Sequence, residues 1–419
     1  MADGKENRNS EFSFIQETVK QKPLYQNRLI QKIAWSAACG ALFGLTALLI
    51  WVIFVPKLDR QEEQVRPITI PEETEAVTEP EETEESTVYI TETVSMQLED
   101  YKNMYHQLMQ IGNQVEKSLV SVSATTVDTD WFDETFTSQS SVSGVAVGDN
   151  GVEILILTNY GDVRNSEKLT VTFHDHTTAP AVLKRYDRTT GLAVISVNTS
   201  EVTEETKEIL QYADFGSSKT VRNGEPVIAV GNPIGNADSI LFGNLTSVSQ
   251  MTGVYDGEYN VLTTDMSRTS SGSGVLVNWS GKIIGWIQDQ YEVSSQKDTI
   301  QAYGISDLKN VIEHLSNNQD IVYMGIMGVD VTTAVSEAEG LPIGVYVSEV
   351  ALDSPAIEAG IQPGDVITSM SGQPITNLKD VMAILLKCSN GQSIQVTCQR
   401  SDMSGYQELE VLVELKILE

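Results

Sequence analysis

Four histidines, His106, His174, His176 and His314, are the whole imidazole stock of this 419-residue chain. Proton transfer near neutral pH falls most often to this side chain, so their placement bounds the acid–base chemistry the chain can perform. His174 and His176 flank Asp175 in FHDHTT, whose composition suits a hairpin tip. An HxH pair could begin a metal site, but no third ligand stands close in sequence, so both read as solvated turn histidines. The thiols are Cys39, Cys388 and Cys398, none in a CxxC or Cys/His cluster. Neither a metal nor a cofactor is expected. Cys39 lies in an apolar run; Cys388 and Cys398 read as two separate buried thiols, a pair being the alternative in an oxidising compartment.

The formal net charge of −31 repels nucleic acid, which is set aside as a partner. The length predicts two or three modules. Residues 33–55, IAWSAACGALFGLTALLIWVIFV, carry no charge, are long enough to cross ~30 Å of hydrocarbon, and place Trp35 and Trp51 near their ends. Lys20, Lys22, Arg28 and Lys32 precede the run and acids follow it, so the positive-inside rule predicts a single-pass anchor with residues 1–32 cytoplasmic and the rest outside the cell. Residues 56–95 are rich in Glu, Thr and Pro and read as a disordered acidic spacer. Across residues 96–117, Leu98, Tyr101, Tyr105, Leu108 and Ile111 fall at three-and-four spacing, an amphipathic helix for the next domain or for sister subunits. From about 118 the pattern changes to short apolar runs between Gly- and Asn-rich turns, a mostly β chain of antiparallel barrels or a sandwich. YGISDLKNVIEHL reads as a helix leading to a second β-rich module.

The ordered run ILTNYGDV, KLTVTFHDHTTAPAVLKRYDRTTGLAVISV, VIAVGNPIG and LTTDMSRTSSGSGVLVNWSGKIIGW resembles the trypsin-like domain of the HtrA/Deg serine proteases. The segments YMGIMGVDV and SPAIEAGIQPGDVI resemble the PDZ domain those proteases carry, and the anchor makes the chain similar to their surface-anchored Gram-positive members. The resemblance implies a double six-stranded β-barrel over 118–318 and a PDZ domain over 319–419, as a homotrimer or a mixed trimer.

Peptide hydrolysis on that fold needs a serine nucleophile, an imidazole base and a carboxylate that orients it. In the family the histidine follows a Thr-Asn pair; here Thr158, Asn159 and Tyr160 lead to Gly161. The aspartate position in DRTTGLAVI is Gly191, while Asp187 matches a different, non-catalytic aspartate. The serine loop is shortened, so the nucleophile position falls on Ser271, Gly272 or Ser273 according to how it is aligned, and its oxyanion donors are expected to be displaced. This predicts a pseudoprotease; the alternative is an active endopeptidase with a non-standard site using Ser271 or Ser273. A third reading is a regulatory subunit of mixed trimers.

The PDZ-like segment keeps its equipment. Tyr323, Met324, Gly325 and Ile326 match the loop whose N–H groups take up a peptide carboxylate, the next strand offers a free edge, and Val381 and Leu385 on LKDVMAILL are pocket candidates. The predicted partners are peptide C-termini or unfolded protein segments.

Overall fold

The computed structural model describes residues 66–71, 97–129, 135–269, 272–288, 298–403 and 405–418. The predicted anchor 33–55, the tail before it and most of the spacer lie outside these residues. No helix among the described residues is long and apolar enough to cross a membrane.

The run VEILILTNY explains why the first barrel forms. Its strand carries four consecutive apolar residues because both faces are buried: Ile154 and Ile156 point into one core, Leu155 and Leu157 into another. It is β3 (Glu153–Asn159) of a closed barrel that also contains β1 (Leu119–Thr129), β2 (Thr135–Asp149), β4 (Lys168–Thr172), β5 (Thr178–Asp187) and β6 (Leu192–Asn198), in the order β1-β2-β3-β6-β5-β4. A second closed barrel follows: β7 (Pro226–Asn232), β8 (Ser239–Val254), β9 (Gly257–Ser267), β10 (Ser273–Val277), β11 (Ile283–Ile287) and β12 (Thr299–Gly304), ordered β10-β11-β12-β9-β8-β7. Closure removes the unpaired strand edges of both sheets.

The seam between the barrels is the largest core. Leu155, Leu157, Leu192 and Val194 meet Ile228, Val230, Val275 and Trp286 there, roofed by the helix Ile305–Ser316. Past that helix come β13 (Val322–Tyr323), β14 (Ile326–Val331), β15 (Gly344–Val350), β16 (Val366–Met370), β17 (Gln373–Pro374), β18 (Ser393–Asp402), β19 (Gly405–Glu414) and β20 (Lys416–Ile417). They form the sheet β14-β15-β16-β18-β19, with β17 on β16 and β13 on β20, and the helix Leu378–Leu385 covers one side. Cys388 and Cys398 are free thiols, as the reading of two separate cysteines expected, but only Cys398 is buried as that reading had both; Cys388 is half-buried.

The amphipathic helix spans Leu98–Glu116, but its apolar stripe is only half covered. Leu108 and Ile111 pack on the seam and Gly112 lies against Ile240, whereas Leu98, Tyr101 and Tyr105 stay exposed.

The spacer reading needs a correction at residues 66–71, which are docked. The Arg66 N–H donates to the Asn150 carbonyl at 2.9 Å, and Ile68 trades two hydrogen bonds with the Asn317 side chain at 2.8 and 2.7 Å. The Ile70 N–H reaches Glu313 Oε2 at 3.0 Å, while the Ile70 side chain, 5% exposed, joins the seam core. RPITI carries two isoleucines, and burying them offsets the ordering cost that the flanking Glu-Thr sequence cannot meet. Ile70→Ala is expected to lower unfolding stability by about 2 kcal/mol, the low end for a buried isoleucine because the strap lies at the rim. A urea titration followed by tryptophan fluorescence measures this, and a loss below about 0.5 kcal/mol would mean that the strap does not hold.

Candidate functional site

The fold brings the two glycines together. β3 ends at Asn159 and turns into the short helix Tyr160–Val163; the Tyr160 N–H donates to the Gly191 carbonyl at 2.8 Å. Gly191 closes the turn between β5 and β6 in the left-handed region, at φ +74°, where glycine is the least strained residue. Asp187 organises that turn by accepting from Thr189 N, Thr190 N and Thr190 Oγ1 at 2.7–3.1 Å. Burial pushes its carboxyl above the usual range, against those hydrogen bonds. Gly161 differs. It is helical, exposed, and a Cβ built there would meet nothing within 4 Å. No steric reason keeps a side chain away.

Ser273 is placed at the start of β10, 1% exposed, with its Oγ accepting from the Ser143 N–H at 3.0 Å. A hydroxyl sealed at the barrel seam cannot meet a substrate carbonyl. The Gly272 N–H is already engaged with the Thr269 carbonyl at 3.3 Å, and a Cβ at Gly272 would lie 2.5 Å from the Pro233 carbonyl oxygen. Ser271 lies outside the described residues.

None of the four histidines makes a hydrogen bond to a serine Oγ among the described residues. His314 has Nδ1 at 2.9 Å from the Asn310 carbonyl and Nε2 at 2.8 Å from the Leu386 carbonyl, joining its helix to the following domain. His174 and His176 sit, exposed, on the β4–β5 hairpin as expected, but they also line a cavity of about 260 Å³ with Ser143 and Asn232. Asp175 between them is bonded to Thr177 and Thr206. Among the described residues, no group of three His, Cys, Asp or Glu side chains could hold a metal ion.

In the last domain, Tyr323, Met324, Gly325 and Ile326 form a buried loop. Gly325 has φ +91°, and a Cβ there would meet Ser354 at 2.4 Å, so the loop requires glycine. Leu385 lines a small cavity beside the loop, but Val381 is fully buried in the domain core and the neighbouring Met382 takes the lining position. The helix Leu378–Leu385 was legible, but its rotation was not, because both positions are apolar.

Sequence reasoning missed Asp256. It stands between β8 and β9 at φ +62°, 6% exposed, and its carboxylate accepts from the N–H groups of Met324 (2.7 Å), Gly325 (2.9 and 3.0 Å) and Ile326 (3.0 Å). The Asp256 N–H in turn donates to the Ile326 carbonyl at 2.7 Å, so the start of β14 is not the free edge expected. Nothing in VYDGEYN marks this beyond an ordinary hairpin turn.

Burial pushes the Asp256 carboxyl up to about 6, against the pull of those N–H donors and with a further push from Asp187; Tyr323 faces it, and Tyr255 lines the same small cavity. A carboxyl raised above its ordinary 3.8 contributes stability that is complete below that pH and is lost as pH rises through about 6. Wild-type protein is therefore expected to lose melting temperature, relative to Asp256→Asn, between pH 4 and 7.5. Parallel thermal melts across that range check this; a constant difference would contradict it.

Residues 142–285 match the family model for the trypsin-like peptidase domain, and residues 322–413 match the PDZ domain model. The chain is 31% identical over 275 residues to the serine protease Do-like HtrB of Bacillus subtilis, covering 61% of this chain and 58% of that protein. It is 29% identical over 296 residues to a probable periplasmic serine endoprotease DegP-like of Rickettsia conorii, covering 68% of this chain and 55% of that one. It thus spans less than two thirds of the length of these curated relatives. The solved structure of the HtrA-type protease AlgW with decapeptide superposes with a TM-score of 0.51 at 19% identity, over 74% of this chain and 99% of that chain, which supports the fold.

Proposed function

We propose that this chain, whose trypsin-like peptidase domain followed by a PDZ domain gives it the HtrA architecture, binds peptide tails or unfolded segments outside the cell without cutting them. One observation carries the reading: the hydrogen-bonded pair of loops that should present the base and its orienting carboxylate presents Gly161 and Gly191. The sealed Ser273 hydroxyl supports it and weighs against that residue in the endopeptidase alternative. Binding is assigned to the PDZ loop Tyr323–Ile326 with Leu385 and Met382, since its donors and its required glycine are intact. The HtrA-type protease AlgW, similar in fold, was solved with a decapeptide, which agrees with peptide binding on this architecture.

Residues 33–55 serve as the single-pass anchor, with the barrels and PDZ domain on the outer face of the membrane. The exposed Leu98, Tyr101 and Tyr105 face of the linker helix suits contact with further subunits, a homotrimer or a mixed trimer. Fluorescently labelled unfolded casein, titrated with the full chain in detergent, is expected to rise in anisotropy and to remain full-length on a gel. Absence of any anisotropy change would remove the binding function.

A further inference from the structure

We infer that Asp256 is an internal ligand of the PDZ loop, so that the peptide site is latched by the second barrel and opens only when the β8–β9 turn is displaced. This rests on the peptide-binding reading of Tyr323–Ile326 above. Three features support it.

The first is chemical equivalence. A peptide C-terminus would present two carboxylate oxygens to the N–H groups of this loop; Asp256 presents two carboxylate oxygens to Met324, Gly325 and Ile326, all within 3.0 Å. The second is backbone pairing. A bound tail would add to the edge of β14, and the Asp256 N–H already makes such a bond to the Ile326 carbonyl at 2.7 Å. The third is filling of the groove. Tyr259 places its hydroxyl 3.4 Å from the Met382 sulfur, Tyr255 places its own 3.3 Å from Glu349, and about 30 Å³ of cavity is left, room for one water.

The residue choice adds weight. The turn needs φ +62°, which glycine would supply with no strain; an aspartate there keeps a carboxylate in the loop. An external tail must then compete with a ligand tethered in the same chain, and its apparent affinity falls by the fraction of molecules in which the turn is undocked.

The test uses the full chain in detergent and a fluorescein-labelled pool of decapeptides with free C-terminal carboxylates, with the same pool amidated as control. Asp256→Gly keeps the turn and removes the carboxylate; Asp256→Asn keeps the shape with a weaker acceptor and serves if the glycine variant misfolds. We expect Asp256→Gly to bind the pool at least about tenfold more tightly than wild type, Asp256→Asn to fall between, and the amidated pool to stay unbound. Hydrogen exchange read by mass spectrometry is expected to quicken about tenfold at Met324, Gly325 and Ile326 in the variants. Equal peptide affinity in all three proteins, or unchanged exchange, overturns the latch and leaves peptide binding standing. Faster exchange with no carboxylate-dependent binding in any protein overturns the peptide site instead.

Discussion

Incubated with unfolded casein, the full chain is expected to turn over substrate at least about four orders of magnitude more slowly than a relative that keeps its triad, since loss of a single member costs that much. A fluorophosphonate probe should leave it unlabelled, and Ser273→Ala should change neither result. Ser273 Oγ accepts a hydrogen bond from Ser143 and is 1% exposed, so even a correctly placed imidazole would find the hydroxyl turned into the seam. The double variant Gly161→His with Gly191→Asp extends the same expectation. A Cβ at Gly161 meets nothing within 4 Å, and aspartate enters the φ region of Gly191 more readily than most residues. The double variant should still fail to cleave casein, because base and carboxylate alone do not free the sealed Ser273 hydroxyl. Labelling or cleavage that vanishes in Ser271→Ala or Ser273→Ala would reverse this conclusion.

The largest stability effect is expected at Trp286. Its side chain is fully buried where the barrels meet, and its Nε1–H donates to Asn159 Oδ1 at 2.9 Å. Asn159 is the last residue of β3, immediately before the short helix that carries Gly161. Truncation removes the aromatic body and strands a buried amide oxygen, so Trp286→Ala should cost about 4 kcal/mol or more. Trp279→Ala is the control: that ring is 49% exposed, and its loss should stay within about 0.5 kcal/mol. Chemical denaturation of the two variants decides it; similar losses would mean that the seam is not the centre of stability.

The fold was legible where burial leaves a pattern. Strands such as β3 and β6, covered on both sides, each carry four apolar residues in a row, and the turns between them carried their own glycines. The expectation of a degenerate triad rests on Gly161 and Gly191, which occupy fixed offsets in segments that keep their neighbours. Other features depended on distant partners. The strap at residues 66–71 is two isoleucines in a polar stretch, and only Asn317 and Glu313, some 240 residues on, make a site for it. Asp256 likewise belongs to a hairpin whose meaning comes from N–H groups 68 to 70 residues away. Composition reports what a segment can bury by itself, and neither of these segments is buried by its own sequence neighbours.

The strap also fixes a path for mechanical load. Tension entering the chain upstream of residue 66 meets the Arg66–Asn150 bond at the β2–β3 turn first, and then the Asn317 and Glu313 clasps. These sit on and just past the helix whose His314 holds the Leu386 carbonyl, so a pull at that end is shared between the inter-barrel core, where Ile70 is anchored, and the junction with the last domain.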